Sequence, residues 1–327
     1  MKRYRKEFVV SKNAQRLDIY LSENLNFFTR SQLKKRELRA FKDNNGIFVS
    51  IKLSKPVFVN DKILIEFNEE VNLSENMMPL DLPIKILYED TDVIVIDKPQ
   101  GILSHPGISN FENTVVNFLL HHISGLKDNF HEDKIRPGIV HRLDKETSGI
   151  MICAKNLTTL NFLSKQFKER FVKKVYIAVV KGNFKIDSGI IETFIDRDRY
   201  DRKKFSVHEN RGKRAFTKYK VFVNIGNYAL IVLSPQTGRT HQLRVHMKYL
   251  NHPILGDSVY SKLDKGFLKT KSLMLHAFKL EINIKEGYLK KFTSGFPQRF
   301  IDFLSIFYDK EELSSLISDF LIFLEKF

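Results

Sequence analysis

The chain lacks most of the residues that staple small folds or hold metal clusters, with a single cysteine among its 327 positions. A lone Cys153 excludes an intramolecular disulfide framework and a cysteine-pair zinc site. Set among apolar neighbours in "GIMICAKN", it reads as a core thiol rather than a nucleophile. Long apolar runs are missing too. No stretch approaches the roughly 18 residues that a bilayer-spanning helix requires, and the basic start "MKRYRKEFVVSKNAQ" has no apolar stretch of the secretory kind. The expected compartment is the cytoplasm, with no membrane partner. A tandem repeat, a low-complexity tract, a Walker loop and a GxGxxG turn are also absent, which removes the common nucleotide-binding signatures.

Acidic residues are scarce relative to basic ones. Asp and Glu number 38 against 54 Lys and Arg, a net charge of +16. Such an excess attracts polyanions and speeds encounter with them, and nucleic acid is the leading partner class. The charge is uneven: through residue 40 there are 11 Lys and Arg and 4 Asp and Glu. A second tract, residues 196–220, has 10 against 4 with Tyr200, Phe205 and Phe216 interspersed, a composition suited to an RNA backbone.

Length and a hydrophobic fraction of 43% predict two folded domains. "QRLDIYLSENLNFFTRSQLKKRELRAF" reads as two short helices. Leu17, Tyr20 and Leu21 recur at helical spacing, and Thr29 with Gln32 forms a capping-box signal for the second helix. Lys35, Arg36 and Arg39 then share one helical face, spaced for phosphates. "GIFVSIKL" and "DKILIEF" follow as strands around a Lys-Pro turn. Residues 1–70 make the first domain, and the polar, turn-rich stretch ending in Pro83 predicts a linker at 71–82. Beyond it, strands are expected at Val93 to Ile96, "GIMICA", "KVYIAVV", "TKYKVFV" with "YALIVLSP", and "LMLHAFKLEI". Helices are expected at "TVVNFLLHHI", "TTLNFLSKQFKERF" and "THQLRVHMKYLN". Strands and helices without regular βαβ alternation predict an α+β fold for residues 83–308. A terminal amphipathic helix, 309–327, is expected to pack on that domain.

"HRLDKETSG", residues 141–149, crowds polar groups directly before the apolar stretch Ile150 to Ala154. A surface turn would be content with Asp, Ser and Gly. Metal binding has little support: His241 and His246 are five apart, about 140° around a helix, and neither they nor His141 stand in a zinc pattern. Sugar-bond hydrolysis needs facing carboxylates, and Ser148 lacks a G-x-S-x-G setting. One usable carboxylate flanked by cations remains.

"PGIVHRLDKETSGIMICAKN" closely resembles the central motif of the RluA-type pseudouridine synthases, which isomerise uridine in RNA. The match continues in order through "KKVYIAVVKG", "RKKFSV", "GKRAFTKY", "SPQTGRTHQLRVHMKYLNHPILGD" and "LMLHAFKLEI", over roughly residues 83–300. The first domain resembles the small RNA-binding domain named for a small-subunit ribosomal protein, with Thr29 in place of the usual Ser.

The resemblance implies an isomerase with a mixed, mainly antiparallel sheet, a small N-terminal α/β RNA-binding domain, and no metal or organic cofactor. Asp144 stands at the position of the catalytic aspartate, Tyr176 at that of a tyrosine stacking beneath the base, and Arg244 at that of the basic residue pairing with the aspartate. Arg239 is the second candidate for that pairing, with phosphate binding as its other role. Arg142 matches the arginine that fills the gap left by the extruded nucleotide. His141 and Lys145 are expected to shape the loop or contact RNA, and Arg30, Lys34, Lys35, Arg36 and Arg39 to bind RNA in the first domain. Large-subunit (23S) ribosomal RNA is the implied substrate. Transfer RNA is the alternative substrate, a noncatalytic ribosome-assembly factor the alternative function, and a monomer the expected state.

Overall fold

The computed structural model describes residues 3–24, 38–68, 77–106, 112–130, 136–201, 204–261 and 272–325, in two compact units, Met1–Asn76 and Met77–Phe327. In the smaller unit, Leu17, Tyr20 and Leu21 line one face of helix α1 (Leu17–Asn24) and are buried with Ala40, Val57, Ile63 and Ile65. An antiparallel sheet supplies the other layer: β1 (Arg3–Val9), β2 (Arg39–Asn44), β3 (Ile47–Ile51) and β4 (Lys62–Asn68), in the order β1-β4-β2-β3. β3 and β4 fall where the sequence predicts strands.

Arg39 departs from expectation. It opens β2 opposite Glu66 instead of extending a helical face with Lys35 and Arg36. Leu38 and Ala40 are buried while Arg39 is exposed, so a period of two overrides the spacing of the cations. Arg30, Lys34, Lys35, Arg36 and the Thr29–Gln32 cap lie outside the described residues. β1 has no apolar alternation to announce it, because Arg5, Lys6 and Glu7 are all exposed.

The larger unit begins at Met77, which is fully buried. Lys127 Nζ donates to the Met77 carbonyl at 3.1 Å, and Leu80 N–H donates to the Asn117 carbonyl at 3.1 Å. Residues 77–82, read from composition as linker, are therefore docked on this unit. Its sheet contains β5 (Lys85–Glu89), β6 (Val93–Lys98), β7 (Ser148–Ala154), β8 (Lys173–Lys181), β9 (Ser188–Arg197), β10 (Phe205–His208), β11 (Lys213–Ile225), β12 (Tyr228–Pro235), β13 (Leu275–Lys285) and β14 (Tyr288–Thr293). The order is β10-β9-β11-β12-β8-β13-β7-β6-β5, with β14 also on β13. β13 pairs with β7 in parallel through His276↔Ser148 and Ala277↔Gly149, and the other described pairings are antiparallel. A mixed, mainly antiparallel sheet and an α+β fold result. Gly149 (φ +116) is required at that parallel step, since a Cβ there would run into the Ala277 backbone.

Helices α2 (Val115–His122), α3 (Leu157–Glu169), α4 (Gln242–Tyr249), α5 (Gln298–Leu304) and α6 (Lys310–Glu325) cover the sheet. No described helix is long and apolar enough to cross a membrane. Apolar side chains gather into two main cores, one on β8, β12, α5 and α6, the other on β6, β7, α2 and α3. Tyr176 touches both. The terminal helix joins the first core through Leu313, Phe320 and Leu324, and the Phe320 ring meets Phe222, Phe278 and Phe296 at centroid distances of 5.1, 6.0 and 5.0 Å. Phe320→Ala is expected to cost about 3–5 kcal/mol through the cavity it leaves. Urea unfolding checks this as a lowered midpoint at unchanged slope.

Candidate active site

The polar stretch folds into a tight turn that feeds β7. Thr147 N–H donates to the Asp144 carbonyl at 3.1 Å, placing Asp144 first in a turn where a short polar side chain is favoured. The segment after β6 grips this turn from outside. Ser104 Oγ donates to the Leu143 carbonyl at 2.8 Å and accepts its N–H at 2.9 Å. Gly101 N–H and Lys98 Nζ donate to the Lys145 carbonyl at 2.9 and 3.3 Å, and Gln100 Nε2 donates to the Glu146 carbonyl at 2.6 Å. With those carbonyls taken, the backbone fixes where the Asp144 side chain points.

Asp144 lines a cavity of about 540 Å³. Its Oδ2 lies 3.4 Å from Arg244 Nη1 and 3.8 Å from His241 Nε2, while Oδ1 has no hydrogen-bond partner among the described residues. Arg244, on α4, is held from behind: Nε and Nη2 donate to Asp257 Oδ2 and Oδ1 at 2.7 and 2.8 Å. Only the planar guanidinium fork makes such a bidentate bridge and still turns a third nitrogen to Asp144. Asp257 Oδ1 also accepts the N–H groups of Val259 and Tyr260 at 2.9 and 3.0 Å. Burial opposes both charges, yet Arg244 and these N–H groups lower the Asp257 pKa, and Asp257 followed by Asp144 raises that of Arg244.

Lys174 and Tyr176 lie two apart on β8, on one face of the strand, and both line the cavity. Burial, with the Asp144 charge adding to it, raises the Tyr176 phenol above its usual range and keeps it protonated. Burial pushes the Lys174 ammonium down to about 8. His241, at the entry of α4, meets the Tyr260 hydroxyl through Nδ1 at 2.8 Å, and that hydroxyl accepts Phe205 N–H at 2.9 Å. Burial lowers the His241 pKa, Arg244 and Arg142 lower it further, and Asp144 and Asp257 oppose them. Its ring is neutral at pH 7.

Asp144, Tyr176 and Arg244, far apart in sequence, thus meet at one cavity, with Arg142, His141 and Arg239 also on its lining. Arg142 is exposed, as is Lys145 on the turn itself. His141 faces inward: Nε2 accepts Ile152 N–H at 3.1 Å, the ring stacks on Phe167 at 4.5 Å, and burial lowers its pKa to about 3. Arg239 spends its Nε on the Arg214 carbonyl at 3.0 Å, so Arg244 is the arginine at Asp144. His246 is a core residue between Thr217 and Thr193 hydroxyls at 2.9 and 3.0 Å. Cys153 is buried on β7, its thiol pushed up to about 12 by burial. Among the described residues, no group of three or more His, Cys, Asp or Glu could hold a metal ion.

Sequence reasoning missed Asp257, Tyr260, Lys98 and Gln100. Asp257 ends "HPILGD", part of a segment that carries the family resemblance, but nothing local marks it as the partner of an arginine 13 residues earlier.

A fixed carboxylate with one free oxygen, a protonated phenol and a cavity wall carrying Arg142, Lys168, Arg170, Lys174 and Arg239 define an enzyme site for an anionic substrate. Residues 92–249 match the family model described as RNA pseudouridylate synthase. The chain is 60% identical over 327 residues, the whole of both chains, to the Ribosomal large subunit pseudouridine synthase D of Borreliella burgdorferi. To the protein of that name from Neisseria meningitidis serogroup B it is 36% identical over 318 residues, 93% of this chain and 82% of the other. The solved structure of Human RNA Pseudouridylate Synthase Domain Containing 1 matches with a TM-score of 0.54 at 27% identity, covering 68% of this chain and 87% of that one. The chain belongs to the RluA-type RNA pseudouridine synthase family: it is an enzyme that isomerises uridine in RNA.

Asp257 titrates below an unfolded aspartate, whose pKa is about 3.9. Its bridge to Arg244 therefore stabilises the fold above that value, and the contribution is lost as pH falls through the folded-state pKa. Asp257→Asn leaves Arg244 without its bidentate anion, with an expected cost near neutrality of about 3–5 kcal/mol. The variant should also lose less stability on acidification than the wild type, which denaturant unfolding at neutral and acid pH will read.

Proposed function

We propose that the chain converts uridine to pseudouridine in large-subunit ribosomal RNA, as a cytoplasmic monomer, with Asp144 as the acting carboxylate. The chemistry breaks the bond from ribose C1′ to N1, turns the base, and rejoins C1′ to C5; the C5 proton leaves and N1 gains one. Nothing is oxidised or reduced overall. Nucleophilic attack by Asp144 on the sugar, attack on the base and removal of a sugar proton all require a carboxylate oxygen with no other partner, and Oδ1 is such an oxygen.

That free Oδ1, beside an Oδ2 held by Arg244, is the observation that carries the catalytic assignment. Arg244 stabilises the carboxylate and holds its direction. Tyr176 supplies a ring for the turned-out base and a phenol able to donate a hydrogen bond. Arg142, exposed beside Asp144, contacts the RNA around the extruded nucleotide, and Lys145 contacts its backbone. His141 shapes the loop. Ribosomal rather than transfer RNA is favoured by the full-length likeness to a protein named for the large ribosomal subunit. The first unit, with its concentration of Lys and Arg, binds RNA.

Asp144→Asn keeps the size of the side chain and removes its charge. Single-turnover assays on ribosomal RNA should show no product from the folded variant, with RNA affinity within about tenfold of wild type, roughly 1.4 kcal/mol. Wild-type turnover by this variant would end the assignment. Deleting residues 1–76 should weaken RNA binding and flatten its salt dependence while the remaining unit stays folded. An unchanged salt slope would remove the RNA-binding role of the first unit.

A further inference from the structure

A cation turned into a protein needs acceptors for its N–H groups and a counter-charge. In the larger unit Arg244 has Asp257, and Lys155 has Glu89 at 2.9 Å and the Asp90 carbonyl at 2.8 Å. Lys98 donates to the carbonyls of Pro99, Ile102 and Lys145 at 2.8, 2.8 and 3.3 Å. Arg299 donates to Ser148 Oγ at 2.6 Å and to the Leu275 carbonyl at 3.1 Å. Lys174 is different. It is partly buried on β8, it lines the cavity, and no carboxylate or hydrogen-bond acceptor among the described residues reaches its ammonium.

Its surroundings make the missing partner more costly. Lys168 and Arg170, at the end of α3, line the same cavity, and the Lys174 charge is felt at the His141 ring. Among the described residues on the cavity lining Asp144 is the one carboxylate, and its Oδ2 faces Arg244. Three cations on neighbouring stretches of chain thus line a cavity whose one described carboxylate, Asp144, is directed at Arg244 and His241 and does not reach Lys174.

We propose that Lys174 is a substrate-binding residue whose ammonium takes a phosphate oxygen of the nucleotide entering the cavity, with Arg170 and Lys168 carrying the adjoining backbone. This rests on the reading of the cavity as the RNA site. A phosphodiester suits the position better than a uracil carbonyl, because a carbonyl accepts a hydrogen bond but leaves the gathered positive charge uncompensated.

The test compares wild type, Lys174→Met and Lys174→Arg on a ribosomal RNA fragment carrying the modified uridine. Lys174→Met should raise KM about tenfold or more with a smaller fall in kcat, and reduce the salt slope of binding by about 1. Lys174→Arg should restore most of the loss. Lys174→Met should also raise Tm, because an uncompensated charge gives way to an apolar chain of similar length. Neutral methylphosphonates placed one at a time around the target uridine should weaken wild-type binding at one linkage that is silent in Lys174→Met. A lowered Tm with unchanged KM, or losses equal in both proteins at every linkage, would overturn the proposal. If the wild type forms no pseudouridine in the fragment, the reading of the site fails, and the methylphosphonate titrations still decide the phosphate contact.

Discussion

Arg244 serves two carboxylates with one guanidinium, and the inequality between them organises the site. Asp257, with no exposed side-chain surface, takes two nitrogens in a fork, whereas the partly exposed Asp144 receives a single contact at 3.4 Å. The rear carboxylate neutralises and aims the cation. The front one is steadied without being locked. Had Asp144 been the forked partner, both oxygens would be occupied, and freeing one would cost several kcal/mol, since opening a buried ion pair leaves an uncompensated charge. The backward bridge lets a strong cation stand beside a carboxylate that keeps an oxygen available.

The turn that carries Asp144 is constrained from both ends. Before it, the loop following β6 takes the carbonyls of Leu143, Lys145 and Glu146. After it, Ser148 Oγ contacts His276 Nδ1 at 2.8 Å and accepts from Arg299 Nη2, while Gly149 admits the close parallel approach of β13. Catalytic geometry that depends on a turn needs such support, because a shift of about 1 Å can cost two orders of magnitude in rate. The polar residues of the stretch therefore divide into those that face the cavity and those, His141 and Ser148 among them, that hold the loop.

Residues whose burial follows a local period were legible in the sequence. The buried strands β6, β7, β8 and β12 and helices α2, α3 and α4 all carry runs or faces that announce them. β9 does not: its burial alternates, but Ile190 and Phe194 stand exposed on the outward face beside buried Ile191 and Ile195, so the apolar residues show no alternation. β1 and β14 are edge strands, β1 with exposed Arg5, Lys6 and Glu7 and β14 with Tyr288 and Leu289 turned to solvent. Arg39 was misplaced because a cation's spacing says less than the burial of its neighbours. At the site, the charge-dense turn was visible locally, but its union with Tyr176 and Arg244 came from the family resemblance, since no local pattern spans 100 residues. Asp257 and Lys98 stayed hidden because a buried ion pair or a capped lysine is defined by what surrounds it in space.

The contacts that build the site also span long stretches of chain. Asp144 and Arg244 are 100 residues apart, Ser148 and His276 are 128 apart, and Gln100 reaches the Leu273 carbonyl across 173. Each such closure costs chain entropy before any contact is gained, and folds dominated by them form slowly. Local helices and hairpins such as β11–β12 can form early, but the cavity exists only after β7, β8 and β13 have met. During folding, activity therefore arrives with the final long-range contacts, and a chain stalled short of them has much of its secondary structure and no working centre.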